Sequence, residues 1–169
     1  MKALEDYTKK CFRGTLRQYT NLLLFSSKQS LKRFCGKKNK QTNAILSAAK
    51  CFNRYREKMN GCVATMTDNF HNIKYTQDKY KIPMICCQYV QLTNCFAETL
   101  NKECAENQQI MNEVLNSVTS NFVESTCGEY NEDSDKCTKL PEIPKAKPGD
   151  KKYKTILFPV YDIINSIEE

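Results

Sequence analysis

Four of the ten cysteines in this chain fall within one stretch, PMICCQYVQLTNCFAETLNKEC, from Pro83 to Cys104, and two of them are adjacent. Ile85, Tyr89, Leu92, Phe96 and Leu100 recur in it at helical spacing and make one narrow apolar stripe. Pro83 suits the first position of such a helix, where its missing N–H costs nothing. The cysteines lie off the stripe. At about 100° per residue, Cys86 and Cys104 fall to one side, Cys95 to the other, and Cys87 roughly opposite the stripe. Neighbouring cysteines on a helix diverge too far to pair with each other, because disulfide geometry is strict. Cys86 and Cys87 must therefore reach different partners. The pattern predicts a central helix at about 83–104, stapled to its surroundings on at least two sides.

The remaining cysteines, Cys11, Cys35, Cys51, Cys62, Cys127 and Cys137, are scattered singly. There is no CxxC, and the only histidine, His71, has no cysteine close in sequence, so the clustered ligands of a zinc site are missing. An even number of dispersed cysteines reads as a disulfide framework, here five bridges over all ten, and hence as an oxidising compartment. The chain is expected to be secreted. Its first residues, MKALEDYTKKCF, have no apolar signal-peptide core, so a mature chain lacking its leader is the expectation. No stretch approaches the length of a transmembrane segment, and no N-x-S/T acceptor occurs.

At 169 residues the chain is long enough for one domain with a sizeable core, about 70% of its unfolded surface being buried at this size. Five Gly and five Pro, with long periodic segments between them, favour helices over a turn-rich β fold. The net charge of +7 is uneven: residues 1–60 carry 15 Lys/Arg against 3 Asp/Glu, while the remainder is acidic. Lys32, Arg33, Lys37, Lys38 and Lys40 form a candidate basic patch. In a disulfide-rich extracellular chain such a patch suits an anionic glycan, lipid or protein better than nucleic acid, which is not an expected partner. A solvated, solubilising surface has the same composition.

In chain order, residues 3–26 carry a helical stripe of Phe12, Leu16, Tyr19 and Leu23. Ser26, Ser27 and Ser30 are expected to break it, with a short helical piece to Cys35 ending at Gly36. A helix from Thr42 is expected to stop at Asn60-Gly61, and a weaker one to cover Val63 to Ile73. Glu106 to Ser125 is the clearest amphipathic helix, ending at Cys127-Gly128. From Gly128 the composition turns acidic, then Pro- and Lys-rich, and should be extended, with Cys137 as its anchor. Tyr153 to Ile167 returns to helical register, with Pro159 set to kink or delay it. The expected division is a disulfide-rich helical domain over 1–137, a linker over 138–152 and a C-terminal amphipathic segment over 153–169.

Catalytic signatures are missing. Secreted phospholipases A2 also carry adjacent cysteines, in CCxxHDxC, but the corresponding residues here are Cys86-Cys87-Gln88-Tyr89-Val90-Gln91, with no histidine. No P-loop, GxGxxG or HExxH occurs, the acidic tail around Glu129–Asp135 lacks the turn glycine of an EF-hand, and His71 in its polar surroundings is expected at the surface or at a cap. No catalytic residue, cofactor or metal ligand is assigned.

The spacing Cys87-x7-Cys95-x8-Cys104 resembles the last three cysteines of insect odorant-binding proteins, whose helices enclose an apolar cavity; the C-x3-C pair of that family is missing. Over nearly the whole chain, Cys35, Cys51 and Cys62, the Cys86-Cys87 doublet with Cys95 and Cys104, and Cys127-Gly-Glu-Tyr with Ser134-Asp135-Lys136-Cys137 resemble the secreted, all-helical, cysteine-rich proteins of arthropods, arachnids especially, of the haemolymph-glycoprotein-like type. That resemblance implies a non-enzymatic extracellular protein and supplies no functional residues; some members are glycosylated, a departure from this sequence. The fold expected is all-α: a disulfide-stapled bundle of five or six helices around the central helix, with a Pro-rich C-terminal arm. The function expected is non-catalytic binding, of a small hydrophobic ligand among Phe52, Tyr55, Met59, Met66, Phe70, Met84, Tyr89, Phe96, Met111 and Phe122, or of an anionic partner. The alternative is a structural or interaction protein of a secreted material or fluid such as silk, cuticle, saliva or venom.

Overall fold

The computed structural model describes residues 2–35, 40–101, 104–150 and 153–168. Among them are seven α-helices, one short 3-10 helix and no strand: α1 (Lys2–Cys11), α2 (Gly14–Phe34), α3 (Lys40–Arg54), α4 (Arg56–Ile73), α5 (Asp78–Asn101), α6 (Ala105–Thr126), the 3-10 helix (Asp135–Lys139) and α7 (Leu157–Glu168). The all-α class is as the sequence predicts, and the helix count exceeds the five or six expected. The extra helix comes from the N-terminal stripe, which divides at Phe12–Arg13 because Gly14 takes a positive φ of 49°, a conformation open to glycine and strained for other residues.

Three expected boundaries move for local reasons. The serines after Phe25 do not end α2. Ser26 Oγ donates to the Leu22 carbonyl at 3.0 Å and Ser30 Oγ to the Ser26 carbonyl at 2.9 Å, so their hydroxyls bond back within the helix. Both serines are buried against α6, where Asn121 Nδ2 donates to Ser26 Oγ and Ser30 Oγ donates to Ser117 Oγ. Asn60-Gly61 does not stop a helix either: Gly61 is exposed within α4, and the break falls earlier, at Tyr55. The helix expected from Pro83 instead starts at Asp78 and ends at Asn101. Pro83 lacks only the N–H that would reach the Lys79 carbonyl in the first turn, at an exposed position, so the helix runs through it. Cys104 belongs to the N-terminus of α6.

The core forms where α4, α5 and α7 meet. Met66, Phe70 and Ile73 of α4 pack with Met84, Ile85, Leu92 and Phe96 of α5 and Ile163 of α7. α6 packs against both α2 and α5, and Met111, Leu115 and Phe122 reach the core from it. No residue of α6 is fully buried, however. Lys81 of α5 is almost wholly buried; its ammonium donates to the Ser166 Oγ at 2.7 Å and the Ser166 carbonyl at 3.2 Å, and pairs with Asp78 at 2.7 Å. A cation at the last turn of α7 meets the negative end of that helix. Pro159 is buried in the first turn of α7, where its ring breaks no helical hydrogen bond.

Four cysteine pairs lie at disulfide distance. Cys51–Cys104 ties α3 to the start of α6, Cys62–Cys95 ties α4 to α5, Cys86–Cys127 ties α5 to the end of α6, and Cys87–Cys137 ties α5 to the 3-10 helix. They close loops of 33 to 53 residues, for which chain entropy gives about 4 kcal/mol per bridge. The expectation of five bridges is corrected to four: Cys11 and Cys35 are unpaired and exposed. Helix α2 separates them by roughly 30 Å along its axis, against about 7 Å at most between bridged Cα atoms.

Ile163 anchors α7, fully buried in the core. Ile163→Ala should cost about 2–5 kcal/mol in urea denaturation; a loss below about 1 kcal/mol would show that α7 is not held there.

Candidate functional site

Helix α7 is apolar on two faces. Ile163 turns to the core, while Leu157, Val160, Tyr161 and Ile164, at i, i+3, i+4 and i+7, line a groove whose other walls come from α1 and α2. Leu4, Tyr7 and Thr8 of α1, with Phe12 just beyond its end, form one side, and Leu16, Tyr19, Leu23 and Leu24 the α2 side. The cavity is about 400 Å³, within the range of small-molecule sites. None of its lining residues is charged. Leu16 and Ile164 are buried at its floor. Rings order one wall: Phe12 lies 5.6 Å from Tyr161, tilted, and 5.6 Å from Tyr7, edge-on. The rim is exposed, Leu157 at 73%, Tyr7 at 57% and Leu4 at 53%. Contiguous exposed apolar side chains of this kind mark binding surfaces more often than scattered ones do.

A second cavity, of about 370 Å³, lies between α5 and α6 beside the Cys86–Cys127 bridge. Its walls are rich in carboxamides and hydroxyls, with Tyr89, Thr93, Asn94, Gln108 and Asn112 among them.

The aromatic and methionine residues expected to line a cavity go elsewhere. Met66, Phe70, Met84 and Phe96 are core, Met59, Met111 and Phe122 pack against it, and Tyr89 lines the second cavity; none of the ten aromatic and methionine residues lines the apolar groove. The stripe Phe12, Leu16, Tyr19 and Leu23 read from the sequence supplies four of the groove residues, and the helical register over residues 153–167 supplies Leu157, Val160 and Ile164; Leu4, Tyr7 and Thr8 were not singled out. Of the basic patch, Lys32 and Arg33 end α2 and Lys40 begins α3; Lys37 and Lys38 lie outside the described residues. Arg33 sits over the Phe34 ring at 5.3 Å and 3.9 Å from Glu113, so part of its charge is engaged. Eight cysteines are paired as above, and Cys11 adjoins the groove residue Phe12.

His71 is a correction: it is buried, not at the surface or a cap. Its Nε2 is 3.5 Å from Asp150 Oδ2, and Tyr153 meets its ring edge-on at 5.8 Å. Neither ring nitrogen makes a hydrogen bond among the described residues. Asp150 accepts from the Tyr75 hydroxyl at 2.7 Å and from the Lys147 backbone N–H at 2.9 Å. The Tyr75 bond foremost, then the Lys147 bond and the charges of Lys74 and His71, hold its carboxyl below the usual range against some desolvation. These contacts tie Lys147, Asp150 and Tyr153 to Tyr75 and to His71 of α4. Among the described residues no group of three His, Cys, Asp or Glu side chains could hold a metal ion, and no helix is long and apolar enough to cross a membrane.

Comparison with protein-family profiles, with curated proteins and with solved structures finds no match to this chain.

Because the folded-state pKa of Asp150 is depressed, its stabilisation is present above the unfolded value, about 3.9, and disappears as pH falls through the lower folded value. Asp150→Asn should therefore melt below the wild type at pH 7, with the gap narrowing as the pH drops below about 4. A gap of the same size at pH 7 and in strong acid would contradict this role.

Proposed function

We propose that the protein is a non-catalytic extracellular binding protein that carries a small hydrophobic ligand in the groove between α1, α2 and α7. The observation that carries this is the uncharged, apolar lining of a cavity of about 400 Å³ with an exposed apolar rim. A preformed concave apolar surface with a few hydroxyls is the usual shape of a small-molecule site. The hydroxyls of Tyr19, Thr20 and Ser27 supply the polar contacts that orient a ligand. Four bridges support the extracellular part of the reading, since disulfides persist in oxidising compartments. The reading agrees with what the arthropod cysteine-spacing resemblance implies, and it favours the groove over the basic patch, where Arg33 is already paired.

A specific observation favours a second reading, the interaction protein of a secreted material or fluid. Cys11 and Cys35 are exposed thiols at opposite ends of α2, and surplus cysteines in a disulfide-bonded chain point to bridges between chains. One thiol at each end would allow linear chains of copies.

The uncharged dye Nile red tests the first reading. It should bind with fluorescence enhancement, and Leu157→Asp or Tyr161→Asp should weaken it by about tenfold or more, because each places a charge in the apolar site. Both positions are exposed, so the variants should fold. Uptake equal to that of the wild type would send the ligand elsewhere. The second reading predicts ladders on non-reducing gels of natural material, reduced to dimers by Cys11→Ser or Cys35→Ser alone and to monomers by both; monomers throughout would remove it.

A further inference from the structure

The cavity between α5 and α6 is far more polar than the groove. Neutral polar groups make up about half of its surface, the rest being apolar, in a chain of net charge +7. Its lining contains no lysine or arginine and a single carboxylate, Glu132. Phosphate, sulfate and other anions therefore have no cationic partner in it. The side chains of Asn94, Gln108 and Asn112 line the cavity and make no hydrogen bond to protein groups across it; nor does any bond within the chain engage those of Asn94 or Asn112 among the described residues. Each free amide presents both donors and an acceptor. On the same wall Tyr89 is fixed by two bonds, donating to Asn116 Oδ1 at 3.3 Å and accepting from Thr119 Oγ1 at 2.9 Å. Its ring is thus held in place as a flat apolar surface. The cavity is set between two long helices joined at this point by the Cys86–Cys127 bridge, so its geometry is held before any ligand arrives.

A ligand that matches such a surface has many hydroxyls, each both donor and acceptor, no charge, and an apolar face of C–H groups to set against an aromatic ring. We propose that the α5–α6 cavity is a binding site for a neutral carbohydrate, with Asn94, Gln108 and Asn112 pairing with sugar hydroxyls and Tyr89 packing on the ring face. A free oligosaccharide and the end of a protein-borne glycan share that chemistry. This site is independent of the apolar groove and of the carrier reading.

The test is an NMR titration of the ¹⁵N-labelled protein with maltotriose, cellotriose, tri-N-acetylchitotriose and a neutral high-mannose glycopeptide, beside a sulfated heparin disaccharide. At least one neutral sugar should shift amide signals of residues 89–97 and 108–116, with a Kd of about 1 mM or tighter. Binding by a free trisaccharide identifies a free sugar as sufficient, whereas binding by the glycopeptide alone identifies a protein-borne glycan. The double variant Asn94→Ala/Asn112→Ala should weaken it by about tenfold. Both side chains are exposed, so the variant should keep the wild-type spectrum elsewhere, and binding by that variant at wild-type strength overturns the assignment. So does a titration in which none of the four neutral probes shifts those signals, or in which the sulfated disaccharide shifts them at lower concentration than every neutral probe.

Discussion

Adjacent side chains on a helix leave it about 100° apart, and Cys86 and Cys87 use that angle to hold two separate parts of the chain. Cys86 bridges to Cys127 at the end of α6, and Cys87 to Cys137 in the 3-10 helix. Both cysteines are buried on α5, so each bridge is also part of the packing. The first sets how α6 closes against α5 and so defines the amide-lined cavity between them. The second fixes the chain beyond α6, which then passes to the Asp150 contacts on α4 and on to α7. With Cys62–Cys95 joining α4 to α5, three bridges converge on one helix, and the helix that carries them needs little else to specify its neighbours.

The first two helices have no such constraint. Neither α1 nor α2 carries a bridge within the chain. They are held by packing, α2 on α6 through the Ser26, Ser30, Ser117 and Asn121 hydrogen bonds and α1 on α2 with a surface ion pair between Lys28 and Glu5. The ion pair is exposed and contributes little. The apolar groove opens between this unbridged layer and α7, which is anchored through Ile163 and the Lys81–Ser166 bonds. Cys11 and Cys35 also lie outside the disulfide framework.

The bridged half was the more legible part of the sequence, because cysteine direction on a helix follows from periodicity alone. The divergence of Cys86 and Cys87 and the anchoring by Cys137 could be stated before any partner was known, and the α6 stripe marked its own ends. Partners of the bridges were not legible, since ten cysteines leave many pairings open. Helix boundaries failed where tertiary contacts overrule local preference: Ser26 and Ser30 read as a break until their hydroxyls have Asn121 and Ser117 to meet, and Asn60-Gly61 read as a stop although α4 carries Gly61 at an exposed position. The Phe12, Leu16, Tyr19 and Leu23 stripe was legible, but not that α7, far along the chain, would face it to make a groove; the aromatic and methionine residues expected to line a cavity, Phe70, Met84 and Phe96 among them, fill the core. His71 looked like a surface residue because Asp150 and Tyr153 lie far away in sequence.

The proposed carrier function stands or falls on whether the natural protein holds a small molecule. Native mass spectrometry of protein purified from its natural source, beside the same sample denatured, measures that directly. The account predicts a native mass larger than the chain by a few hundred daltons, lost on denaturation and restored by adding back the released compound. Equal native and denatured masses, for a protein whose groove also takes up no apolar probe, would contradict it.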